Sequence, residues 1–124
     1  MKQNRCITNL LKFIDLLQKN STNDNFCDLG CDRPFLGPVR NSICYNSRPI
    51  SIYNKNGEVF TVENDGVTYS RFRVENVSND CVKLRALNYN ASNNDYTSTN
   101  SYTTVNTKCI CVVKCFSDTV VDNL

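Results

Sequence analysis

The stretch from Ser70 to Leu87 constrains the fold more than any other, because apolar and polar residues alternate along it with a period of two. Phe72, Val74 and Asn76 fall on one face, and Arg71, Arg73 and Glu75 on the other. After Ser78-Asn79-Asp80 the alternation resumes, with Val82, Leu84 and Ala86 turned inward. That pattern describes two antiparallel strands, each half-buried, joined by a polar turn. The three arginines, Arg71, Arg73 and Arg85, are expected on a single solvated face across this hairpin.

Further β signals lie on both sides. Pro49 to Tyr53 and Glu58 to Val62 flank Asn56-Gly57, a strong two-residue hairpin signal, and Asp65-Gly66 supplies a second turn. Cys109 to Phe116 is apolar enough to be expected at the centre of a sheet. Between these, Asn88 to Asn100 reads as a polar loop and Tyr102 to Thr107 as an exposed edge strand. Upstream, Ile7, Leu10, Leu11, Phe13, Ile14, Leu16 and Leu17 are read as one face of a helical period, with Lys12, Asp15 and Gln18 between, so residues 5–19 are expected to be one amphipathic helix. The run from Asn20 to Asn25 has no apolar residue and is expected to stop it.

The resulting expectation is a mainly β chain, an antiparallel β-sandwich or partly closed barrel with one N-terminal amphipathic helix. Residues 1–25 form the helical arm and polar connection, and residues 26–124 the β domain. A chain of 124 residues suits one such domain.

Composition narrows the chemistry. The chain has no histidine, which removes catalytic triads, Cys-His pairs and His-metal sites from its own repertoire. A net charge of +2 provides no field for a nucleic acid or a membrane surface. Asp24, Asp28 and Asp32 lack the order of a calcium-binding loop, and no pair of carboxylates has a recognisable catalytic spacing. No small-molecule substrate, cofactor or enzymatic activity is therefore expected. The sequons at Asn20, Asn76 and Asn90 are read as chance in a chain with nineteen asparagines.

The eight cysteines are the remaining clue. The first eighteen residues carry Lys12 and Asp15 among their apolar positions and offer no signal-peptide pattern, so synthesis in a cytosol is expected. Such a chain leaves a thiolate metal site, a redox enzyme, or a structural protein oxidised after assembly. Cys27 and Cys31, with Cys109 and Cys111, offer four thiolates for zinc, although neither pair has the common C-x2-C spacing. A thioredoxin-like role lacks its C-x2-C pair altogether. In an extended strand Cys109 and Cys111 would share a face about 7 Å apart, too far and too parallel to bond comfortably to each other. Cys44 and Cys81 are equally readable as small buried apolar residues.

Taken in order, these features resemble a known family. Cys6 on the amphipathic segment, C-D-L-G-C at Cys27 and Cys31, F-R-V-E at Phe72 to Glu75 followed by Cys81, and the C-x-C-x3-C ending at Cys109, Cys111 and Cys115 are similar to the CotY/CotZ/ExsY family of cysteine-rich spore coat and exosporium proteins. The resemblance implies a non-enzymatic protein made in the mother-cell cytoplasm that assembles with itself, and with other coat or exosporium proteins, on the spore surface. It implies an ordered two-dimensional layer locked by intermolecular disulfides. Cys6, Cys27, Cys31, Cys81, Cys109, Cys111 and Cys115 become the cross-link candidates, and the monomeric zinc module is the alternative.

Overall fold

The computed structural model describes residues 5–23, 45–122 and 124. Helix α1 (Arg5–Asn23) precedes eight strands: β1 (Ile50–Tyr53), β2 (Val62–Asn64), β3 (Val67–Tyr69), β4 (Arg71–Val77), β5 (Cys81–Asn90), β6 (Asp95–Asn106), β7 (Val112–Cys115) and β8 (Val121–Asp122). Six of them form one sheet in the order β7-β1-β4-β5-β6-β8, and β2 and β3 form a separate ribbon. All neighbours are antiparallel except β6 and β8. The fold is mainly β, a curled half-barrel sheet with one N-terminal helix, which is the partly closed barrel of the two expected architectures.

The curl follows from chain length. Adjacent strands lie about 4.8 Å apart, so a flat sheet would separate β7 from β8 by about 24 Å across five intervals. Six residue steps from Cys115 to Val121 span at most about 21 Å, and the strands are also offset along their length. On the other side, the link from β6 to β7 contains the 3-10 turn Thr107–Cys109, which rises only about 2 Å per residue. Both links fit only if the sheet bends its two edges toward each other.

The hairpin read from the alternation is present, with Phe72 opposite Ala86 and Val74 opposite Leu84, all fully buried. Ile50 and Ile52 from β1, Val82 from β5 and Ile110 complete the strand side of the core. Leu11 and Ile14 of α1, both at 0% exposure, cover it from the same chain. Helix formation continues to Asn23, four residues past the expected end, because the apolar face runs out near Gln18 while Asn, Ser and Thr cost an established helix only tenths of a kcal/mol each, ~0.5 or so. Both glycine turns are present as well: Gly57 and Gly66 have φ of 80°, and Asp65 has φ of 53°. Asn54 organises the first by accepting from the N–H groups of Asn56 and Glu58 through Oδ1.

Three expectations are corrected. The polar stretch from Asn88 is not a loop: β5 runs to Asn90, Ala91 to Asn94 make the turn, and β6 returns over twelve residues. Thr and Tyr suit an extended chain, and β5 supplies the partner that periodicity alone does not reveal. Residues Cys109 to Phe116 are not a central strand, since β7 lies at the sheet edge and Val112 is 49% exposed. Nor do the arginines form a solvated face. Arg73 and Arg85 are buried, Arg73 bonding Ser47, Asn46 and Glu75, and Arg85 bonding the Thr99 carbonyl. Arg71 is stacked between the rings of Tyr89 and Phe116, 3.9 Å from each centroid, and donates to the Tyr96 hydroxyl.

Gln18 joins helix to sheet. At 3% exposure it donates through Nε2 to the Val74 carbonyl at 2.7 Å and accepts from the Arg48 N–H through Oε1 at 3.0 Å. Gln18→Ala strands both backbone groups and is expected to lower unfolding free energy by about 1–3 kcal/mol in a denaturant titration. Leu16→Ala, on the exposed side of the same helix, should stay within about 0.5 kcal/mol.

Candidate functional site: the displayed cysteines

Five of the eight cysteines fall among the described residues, and all five are free thiols. Cys6, Cys109, Cys111 and Cys115 are exposed, while Cys81 is half-buried at the start of β5, opposite Asn106. Cys27, Cys31 and Cys44 lie outside the described residues, and with them half of the four-thiolate zinc set. Among the described residues no group of three or more Cys, Asp or Glu converges on a metal-sized site.

Each exposed thiol is placed by its element. Cys6 lies seven and ten residues before Phe13 and Leu16, so the three share one stripe of α1. Those two side chains are 53% and 57% exposed, on the side of the helix away from Leu11 and Ile14. Cys109 ends the 3-10 turn, so it does not share an extended strand with Cys111 as expected. Ile110 between them is 1% exposed, and its anchoring in the core leaves the thiols on either side in solvent. The Cys111 N–H donates to the Tyr53 carbonyl, which starts the pairing of β7 with β1.

Cys115 closes β7, opposite Ile50, beside the ion pair of Arg48 with Asp118. Desolvation pushes its thiol pKa up, Arg48 opposes this, and Asp118 adds to it. The Arg48 guanidinium is in turn held more firmly protonated by its hydrogen bond to Asp118. Sequence reasoning grouped Cys115 with its neighbours by spacing and missed this acidic partner, which arrives from three residues further on only after the chain bends out of β7.

Among the described residues the arrangement is that of a small curled β domain carrying four exposed thiols rather than one converging centre. Residues 1–101 match the family model described as Spore coat protein Z, and the chain belongs to that family. It is accordingly a structural protein of the spore coat, at the spore surface. The matched span includes Cys6 and Cys81 and ends within β6, before Cys109, Cys111 and Cys115. No curated protein and no solved structure matches the chain.

A thiol with a raised pKa holds less of the reactive thiolate at neutral pH and gains it as pH rises through that pKa. Cys115 is therefore expected to react more slowly with iodoacetamide at pH 7 than a thiol of ordinary pKa, with the deficit closing as pH rises. Asp118→Asn removes a charge that disfavours the thiolate and should speed the reaction, as read by peptide mass spectrometry.

Proposed function

We propose that the protein builds an ordered two-dimensional layer of the coat or exosporium by self-association, and that intermolecular disulfides lock the layer. The observation that supports this reading is the exposure of four unbonded thiols, Cys6, Cys109, Cys111 and Cys115, on one folded domain. Exposed thiols left unbonded within one chain can find partners on the surfaces of neighbouring copies. Weak contacts made at several places must all be lost together for a subunit to escape, and covalent bonds then make escape very slow. Synthesis in the reducing mother-cell cytoplasm leaves the thiols free until that cell loses its reducing pool. The cross-linking residues of this reading are Cys6, Cys27, Cys31, Cys81, Cys109, Cys111 and Cys115, with other coat or exosporium proteins as further partners.

Without reductant the purified chain should run as large species in gel filtration and denaturing electrophoresis, and with reductant it should return to 14.1 kDa. Serine substitutions at Cys6, Cys27, Cys31 and Cys109 should shorten the ladder stepwise. A monomer indifferent to oxidation would overturn the reading.

A further inference from the structure

Arg71 carries a charge that neither the core nor the thiols account for. The registers set Arg71 of β4 opposite Leu87 of β5, and Tyr89 of β5 opposite Tyr96 of β6, so all four side chains share one face of the sheet. The link from β7 to β8 brings Phe116 onto the same guanidinium. With Tyr89 and Phe116 stacked on it at 3.9 Å and Nη1 donating to the Tyr96 hydroxyl, the cation is held in place and keeps only the edges of its plane for further bonding.

One of those edges is unused. Nε and Nη2 have no hydrogen-bond partner among the described residues, and because no buried side-chain donor there lacks a partner, both are open to solvent. Arg48 uses the same two atoms as a fork, Nε on one oxygen of Asp118 and Nη2 on the other. Arg71 has the fork and no carboxylate. The ion pairs of the described residues are Lys19 with Asp15, Arg48 with Asp118, and Arg73 with Glu75. Arg71 also lines a cavity of about 250 Å³, together with Asn94, Ser117 and Thr119. Asn94 accepts from Tyr89 through Oδ1, which leaves its amide N–H groups to donate.

We propose that this cavity binds a small organic carboxylate, its two oxygens on Nε and Nη2 of Arg71, with Asn94, Ser117 and Thr119 as further donors. A carboxylate is planar and matches the guanidinium edge with two parallel hydrogen bonds. Charge favours a monoanion. The charged groups of the lining are Arg71 and Asp118, and Asp118 is already matched by Arg48, while Lys114 adds a cation 5.3 Å from the Phe116 centroid. A dianion would meet Asp118 with twice the charge. The volume lies below the roughly 300–1,000 Å³ of pockets for drug-sized ligands, so the acid is small. The stacked rings fix the guanidinium beforehand, which lowers the entropy lost on binding. No cysteine takes part, so the site is independent of the disulfide-locked layer.

The isotope-labelled, reduced full-length chain is titrated with sodium acetate, sodium sulfate or sodium chloride at equal ionic strength and about pH 6, where a carboxylic acid is ionised. Binding is read from the Arg71 Nε–H signal and from the backbone amides of Ser117 to Thr119. Acetate should shift them saturably at millimolar concentration, more tightly than sulfate, with chloride causing no saturable change. Arg71→Lys keeps the charge but loses the fork, and should weaken acetate about tenfold, as read from the amides. Asp118→Asn should tighten it several-fold. A response that does not saturate, one that chloride reproduces, or equal affinity in Arg71→Lys would overturn the site, as would weaker binding in Asp118→Asn. Tighter binding of sulfate, or of a blocked tripeptide carrying one glutamate, would overturn the choice of ligand.

Discussion

The structure depends on two short crossings between strands that are far apart in sheet order. The chain passes from β6 to β7, and again from β7 to β8, with too few residues to travel over a flat sheet. Bending the sheet is the only way to satisfy both, and much of the surface layout follows. Ile110 is carried into the core on the first crossing, which forces Cys109 and Cys111 outward. The second crossing brings Phe116 over Arg71 and sets Asp118 against Arg48 beside Cys115.

What the sequence made legible was whatever local pattern decides. The alternation from Ser70 to Leu87 identified Phe72, Val74, Val82, Leu84 and Ala86 as the residues of β4 and β5 that meet the main core. Turn positions at Gly57 and Gly66 were equally visible, since a positive φ at those points favours glycine. What stayed hidden was decided at a distance. The first half of the Thr- and Asn-rich β6, up to Asn100, looks like a loop until β5 offers it a ladder. Arg73 and Arg85 look solvated until carbonyls and hydroxyls of remote segments satisfy them in the interior. Gln18 reads as a polar interruption of an apolar stripe, yet it is among the most buried polar residues described. For the cysteines, spacing marked the residues as a set but carried no information on their separation in space.

That separation agrees with the family assignment. The layer proposed above requires bonding groups to be presented to neighbours rather than gathered around a centre, and a small β domain holds its surface groups at fixed angles. The family match stops within β6, whereas three of the exposed thiols lie on the crossing and on the edge strand beyond it. Folding nevertheless unites these parts, because β7 pairs with β1 from the matched region through four consecutive residue pairs.

The seat of Gln18 makes the helix a component of the sheet. Where β1 gives way to Pro49 and Arg48, the ladder toward β4 is completed by a side-chain amide from outside the sheet. The seam between the two strands and the docking of α1 therefore close together, so a pull transmitted through the N-terminus loads the domain interior directly. Under such a pull the domain resists as one body instead of letting its leading helix run out as slack.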